Sequence, residues 1–297
     1  MDEQRESVRK MQDYIREHIH EDITINDLAE ASSFSPWHAR RLFLKYLNMT
    51  PAVYIRRLRL SKSALKLRDE QVTILDVAMD MGYGSVDGYQ RAFRKEFGCN
   101  PKEYSASPVP VWLFTPSLIE TKQAIEGKVN EMSESKETRN IFIQLIEKPA
   151  RKVIIKRGIK ADEYFSYCEE VGCDVWGLLT SIKSISGEPV CMWLPKKMRK
   201  PVTNEYVQGV EVENDYSGST PEGFEIIELP AAKYLLFRGE PFAQEDYAQA
   251  INEIWQAEKK YDPAFIGYMW DEDNPRIQLE PRGERGYIEL VPVKEKI

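Results

Sequence analysis

The sequence predicts a two-domain protein: an all-α double helix-turn-helix domain over residues 1–107, a linker over 108–139, and an α+β domain over 140–297. Three observations predict it. The first third repeats itself with helical spacing, the second half repeats itself with strand-type residues, and a proline-rich stretch that turns polar and charged separates the two.

Composition sets the limits. A chain of 297 residues is long enough for two domains of roughly 100–200 residues each. It has no apolar run of about 18 residues, and "MDEQRESVRK" lacks the apolar centre of a signal peptide, so a cytoplasmic protein without membrane association is expected. The cysteines Cys99, Cys168, Cys173 and Cys191 show no metal-type spacing and have only His18, His20 and His38 for company. They are expected to be reduced, buried and inert, with neither metal nor cofactor. The net charge of −7 disfavours general adhesion to nucleic acid. It is uneven, however. Residues 36–107 carry 13 Lys and Arg against 7 Asp and Glu, a local +6, so the remainder carries −13.

The first repeat aligns "TINDLAEASSFS" at Thr24 with "TILDVAMDMGYG" at Thr73, an offset of 49. After one inserted residue, Arg41, Phe43, Lys45, Pro51 and Tyr54 recur as Arg91, Phe93, Lys95, Pro101 and Tyr104. Each copy opens with threonine and, three residues on, aspartate, a pattern that caps a helix N-terminus. The first helix of each copy breaks at Ser33 or Gly82, and a second turns Leu42 and Phe43, or Ala92 and Phe93, inward. The product is helix, tight turn, helix. Between the copies "PAVYIRRLRLSKSALKLRD" reads as one long helix with proline at its start. Such a rod can hold the two units about 34 Å apart, one duplex turn. The linker holds Pro108, Pro110 and Pro116, and its apolar "VWLF" is expected to dock on a surface.

The second repeat aligns "IQLIEKPARKVIIKRG" at Ile143 with "FEIIELPAAKYLLFRG" at Phe224, a constant offset of 81. β-Branched and aromatic residues around a proline read as paired or bent strands. A helical segment follows in each half, "DEYFSYCEEVGCDVWGLLTSI" or "QEDYAQAINEIWQAEKKY", and further strands close it. A duplicated strand-helix-strand-strand unit is expected.

With "SPWHARRLF" in one copy and "GYGSVDGYQRAFRKEFGCNPKEY" in the other, residues 5–106 resemble the DNA-binding domain of the AraC/XylS family of transcription regulators. The resemblance implies that Trp37, Arg40 and Arg41 face DNA bases from the first recognition helix, and Val86, Asp87 and Arg91 from the second. Arginine suits base reading because its fork matches the two acceptors of guanine. Val86 and Asp87 depart from the polar, amide-rich pattern of some members; Asp87 could accept from cytosine but would repel phosphate, so the second helix is expected to read fewer bases. Lys45, Arg56, Arg94 and Lys95 are the phosphate candidates. The partners implied are double-stranded promoter DNA and RNA polymerase, with activation as the outcome.

Residues 140–295, with "CDVWGLL", "WLP", "GVEVE", "PEGFEIIELPAAKYLLFRG" and "GYIELVPV", resemble the GyrI-like effector-binding domain, and the domain order is that of Rob-like regulators. Aromatic residues for a ligand cleft are Trp176, Trp193, Tyr206, Trp255, Tyr268, Trp270 and Tyr287. Alternation puts Tyr287, Glu289 and Val291 on one face of the last strand. Similarity to multidrug-sensing members implies a cationic or amphipathic aromatic effector, with Glu289 as counter-charge and Glu211 as its symmetric equivalent. The alternative is a GyrI-like hydrolase or drug-sequestering protein using Glu289 as general base. No Ser-His-Asp set, Walker loop or metal motif supports catalysis.

Overall fold

The computed structural model describes residues 3–116, 140–243 and 246–296. They fall into two compact units, one within residues 1–119 and one within 120–297.

The helical unit opens with α1 (Glu3–Glu17), an element outside the repeat that buries Val8, Met11 and Ile15. The first copy is α2 (Ile25–Ser32) and α3 (Pro36–Leu47), the second α5 (Ile74–Asp80) and α6 (Val86–Phe97), with α4 (Pro51–Asp69) between them and α7 (Pro101–Ala106) last. Thr24 and Thr73 cap as the repeat predicts, and Thr24 completes a capping box with Asp27. The breaks also fall where expected. Ser33 and Gly82 both take the left-handed conformation, at φ 58° and 73°. At Gly82 the positive φ favours glycine, and the Arg59 guanidinium lies close over the site a Cβ would take.

Helix α4 is apolar on two sides because it serves two cores. Its first half packs Tyr54, Ile55 and Leu58 against Leu28, Leu42 and Phe43, and its second half packs Leu60, Ala64 and Leu67 against Val77, Tyr89 and Phe93. Burying each large side chain contributes roughly 1.5–3 kcal/mol, so the rod is fixed at both ends. A polar seam ties the copies together: Arg59 donates to the carbonyls of Ile19 and Glu21, and Asp80 accepts from Lys66 at 2.7 Å and meets His20 at 3.2 Å. Lys66, and then the charge of His20, hold the Asp80 carboxyl below its ordinary value against the effect of burial. Within the expected linker, Val111 and Leu113 are buried in the second helical core. Phe114 meets Tyr54 edge-on, and its N–H donates to Ser61 Oγ at 2.7 Å. The "VWLF" segment thus docks on α4, and residues 117–139 of the linker lie outside the described residues.

In the second unit the strands are β1 (Ile141–Lys148), β2 (Arg151–Arg157), β3 (Val190–Trp193), β4 (Tyr206–Val212), β5 (Glu225–Leu229), β6 (Ala232–Gly239), β7 (Tyr268–Trp270), β8 (Arg276–Gln278) and β9 (Ile288–Glu295). Among the described residues they form one antiparallel sheet in the order β1-β6-β9-β8-β3-β4-β2-β5, with β7 added on β9. The expected strand-helix-strand-strand unit needs correction here. Each half has two strands before its helix, because the chain bends at Pro149 or Pro230, and the first strand pairs with the other half: β1 with β6, and β5 with β2. The two halves meet at β3 and β8, where Cys191 pairs with Gln278. Proline has no N–H for the ladder, so the bend falls where pairing is surrendered.

The helical segments differ too. In the first half Gly172 splits the expected helix into α8 (Tyr164–Glu170) and α9 (Val175–Ser181), whereas the second half keeps one helix, α10 (Tyr247–Lys260). On one face, Ile154 and Val210 pack on Val175 and Leu179 of α9, and Leu235 and Phe237 pack on Ala250 and Ile254 of α10. The opposite face is also buried, through Val153, Met192, Val207, Tyr234 and Leu290. Of the four cysteines expected to be buried, only Cys191 is; Cys99 and Cys168 are half-buried and Cys173 is exposed.

Candidate functional site

Two places gather the candidate residues. In the helical unit, Ser35 caps α3 and Pro36 fills its first position, so the helix starts rigidly. Ala39, Leu42 and Phe43 face inward, and at helical spacing this turns Trp37, Arg40, Arg41 and Lys45 outward. Trp37 is 69% exposed, an unusual state for so large an apolar group, and the Arg41 guanidinium lies 4.8 Å over its ring. Lys45 donates to the side chain of Gln4 at 2.9 Å, and Arg56 projects from α4 into solvent.

Helix α6 is built alike but charged differently. Ser85 caps α6, Tyr89 and Phe93 anchor it, and Asp87, Arg91, Arg94 and Lys95 are exposed. Val86 is half-buried against the apolar core of its copy, so it is the least available of the expected base contacts. The offset of 50 puts Asp87 where the first copy has Trp37, and Gln90 where it has Arg40. Helix α3 carries no acid, whereas α6 carries Asp87 and Glu96, the latter paired with Arg57 at 2.6 Å. Helix α3 is therefore the more cationic of the two.

The second unit holds a buried acid cluster. Glu289, on the helix face of β9, is fully buried. Its Oε1 accepts from Trp255 Nε1 at 2.6 Å and from the Tyr287 hydroxyl, and its Oε2 accepts from Arg276 Nε at 2.6 Å. The same guanidinium reaches Glu258 at 2.8 Å. Burial, and then the charge of Glu289, push the Glu258 carboxyl up to about 9, so it carries a proton at neutral pH. Two carboxylates share one guanidinium, and a proton makes up the missing cation. Arg276 stacks 4.8 Å over the Trp193 ring, and Trp193 meets Tyr206 edge-on. A cleft of about 230 Å³ opens beside this pair, lined among others by Trp193, Glu205, Trp270, Asp271, Glu272 and Arg276.

The structure thus brings Trp193, Trp255, Tyr287 and Glu289 together, with Trp270 at the cleft. Trp176 and Tyr206 gather in the first half with Tyr167 and Cys191. Tyr268 packs with Trp270 against the apolar cluster that contains Tyr287, its hydroxyl bonded by Lys233 at 3.3 Å. Glu211 is not the symmetric partner of Glu289. Register settles this: Gln208 faces Lys156, Glu289 faces Phe237, and both pairs differ by the repeat offset of 81. Glu211 lies on the opposite sheet face, bonded by Lys148 and Arg151 at 2.6 Å each and by Ser186. Burial alone would raise its carboxyl, but Lys148 and Arg151 outweigh burial and hold it below the ordinary value. Gln208 is fully buried with neither end of its amide paired. Arg276, Glu258 and Gln208 escape the sequence reading, although the 81-residue offset carried on from the first strands would have found Gln208.

A helical unit that presents two capped, cationic helices from a shared rod defines a double helix-turn-helix DNA-binding protein. Residues 28–107 match the family model described as a helix-turn-helix domain. Regulatory protein SoxS of Salmonella typhimurium is 36% identical over 97 residues, covering 33% of this chain and 91% of SoxS. The right origin-binding protein of Escherichia coli is 33% identical over 101 residues, 34% of this chain and 35% of that protein. The putative HTH-type transcriptional regulator YkgA of Escherichia coli is 27% identical over 208 residues, 64% of this chain and 85% of its own length. That match is too long for the first unit alone. The chain belongs to the AraC family of DNA-binding transcription regulators, through its helical unit. No helix among the described residues is long and apolar enough to cross a membrane.

Proposed function

We propose that the chain is a one-component transcription regulator whose second unit, of GyrI-like type, binds a cationic aromatic effector beside Glu289. Helices α3 and α6 enter adjacent major-groove segments. Trp37, Arg40 and Arg41 read bases, Arg91 reads from the second helix, and Lys45, Arg56, Arg94 and Lys95 hold phosphates. RNA polymerase is the partner and activation the outcome. The observation that carries the effector assignment is the cluster of two carboxylates served by one guanidinium, at the edge of a cleft with two tryptophans. A ligand cation can take the place of the Glu258 proton without leaving a buried charge unpaired, and ring faces of Trp193 and Trp270 suit its aromatic part.

Both oxygens of Glu289 are engaged by Trp255, Tyr287 and Arg276. This favours a binding role over a general base, which needs a free lone pair. The ligand regulates only if it favours one state of the protein over another.

The test is calorimetric titration with an aromatic quaternary ammonium dye in two buffers of different ionisation enthalpy. Uptake of the dye with release of a proton supports the assignment; uptake without proton release, or none, rejects it. Promoter footprinting of the Arg40→Ala and Arg41→Ala variants tests the reading helix. A loss of about 1–3 kcal/mol per base contact is expected, and an unchanged sequence preference overturns the placement.

A further inference from the structure

One buried polar group of the second unit takes no part in the charge cluster. Gln208 on β4 is fully buried, and among the described residues neither the nitrogen nor the oxygen of its amide has a hydrogen-bond partner. Buried polar side chains are almost always paired, because leaving one open forfeits its hydration for nothing. An amide open at both ends calls for a partner from outside the fold.

Strand register puts this amide in line with Glu289. Residues directly paired on neighbouring strands share a sheet face. Gln208 pairs with Cys191, Cys191 with Gln278, and Gln278 with Glu289, so the four make one row across both halves. The row lies on the helix face, where Cys191 packs with Tyr167 of α8 and Trp176 of α9. All four residues are buried. Neighbouring strands stand about 4.8 Å apart, which sets Gln208 about 14 Å from Glu289. Two residues along, about 7 Å away, the next row on this face runs through Tyr206, Trp193 and Arg276. Trp193 and Arg276 line the cleft, and Trp193 meets the Tyr206 ring edge-on at 5.2 Å. The polar row is thus the neighbour of the cleft wall.

We infer that Gln208 is a second, uncharged subsite of this cleft, pairing the carboxamide or lactam edge of an elongated effector, an assignment that rests on the cation site proposed above. A glutamine amide presents an acceptor beside a donor in one plane. A ligand group with a carbonyl next to an N–H satisfies both through two parallel hydrogen bonds, whereas an ester leaves the Gln208 oxygen unpaired. The span of about 14 Å selects a rod-shaped molecule with its cation at one end and its amide at the other. Because Gln208 is closed off in the free protein, the ligand reaches it by displacing a covering ring, and Trp193 and Tyr206 stand on the cleft side.

The full-length protein is titrated calorimetrically with a trimethylammonium biphenyl that bears a propanamide at its far end, and with the same compound as its methyl ester. The amide is expected to bind about tenfold more tightly than the ester, a difference of about 1.4 kcal/mol. Gln208→Met keeps the volume and removes both polar ends. It should bind both compounds with the affinity of the ester and raise the unfolding midpoint of the free protein. Equal affinities in wild type overturn the subsite and leave the cation site standing, as does an amide preference that survives the substitution. A lower midpoint in Gln208→Met means that an ordered water already pairs the amide, and overturns the subsite as well. Binding of neither compound removes the cation site itself, and the subsite falls with it.

Discussion

Glu211 on β4 and Glu289 on β9 lie on inner strands of the two halves of one sheet, with β8 and β3 between them, both fully buried, yet their surroundings are opposite. Glu211 has two cations, Lys148 and Arg151, and a serine hydroxyl. Glu289 shares its single guanidinium with a second acid, Glu258. The first cluster has charge to spare on the cationic side. The second is one cation short and holds a proton instead. A buried acid is therefore no sign of a ligand site until its neighbours are counted. Within the repeat the two acids are offset by three residues, an odd number, so they face opposite sides of the sheet and meet different chemistry.

Four changes would sharpen or break this contrast. The largest effect is expected from Glu211→Gln, which strands Arg151 and Lys148; a loss of about 3–5 kcal/mol in denaturant unfolding is expected, with no selective effect on dye binding. Arg276→Met leaves Glu289 and Glu258 without their cation and should cost about 2 kcal/mol, partly restored by a cationic dye. If the dye stabilises this variant no more than wild type, the site does not hold cations.

Glu258→Gln comes next. In wild type the folded protein keeps the Glu258 proton up to about 9, whereas the unfolded chain releases it near the ordinary value of 4.5. This group's contribution to stability is thus full below 4.5 and declines as pH rises toward 9. Dye affinity should rise with pH over the same window, because dye and proton compete. The variant should bind about tenfold more weakly at pH 8, a change of about 1.4 kcal/mol, and with a flat pH profile. A profile as steep as that of wild type would assign the proton elsewhere.

The smallest effect falls in the helical unit, where the same counting applies to Trp37 and Asp87, the equivalent positions of α3 and α6. Asp87→Asn removes a repulsion from phosphate and should tighten promoter binding by roughly threefold, under 1 kcal/mol, measured at fixed salt. Weaker binding would mean that Asp87 accepts from a base.

Much of this was legible in the residues. Thr24, Ser33, Thr73 and Gly82 fixed the helix boundaries because capping and left-handed turns are local chemistry. The outward stripe of Trp37, Arg40, Arg41 and Lys45 followed from the inward Leu42 and Phe43. The strand halves were less readable. Proline at 149 and 230 showed a break, but strand exchange between halves is a matter of which edge is nearest, which no local pattern records. Glu211 was misjudged because both sheet faces are buried, so alternation cannot say which face holds the helices. Cys173 was misjudged because the expected helix does not run through it: Gly172, at φ 104°, interrupts the helix and leaves Cys173 exposed in the turn.

The sequence by itself determined the two duplications, the helix caps and breaks, the exposed cationic face of α3 and the aromatic supply of the second unit, since each depends on neighbours within a few residues. Only the tertiary structure decided that Arg276 and Glu258 meet Glu289, that Lys148 and Arg151 saturate Glu211, and that Gln208 is the symmetric position. Buried charges are set by partners brought together through strand pairing across long stretches of chain, and an acid's role follows from the cations around it.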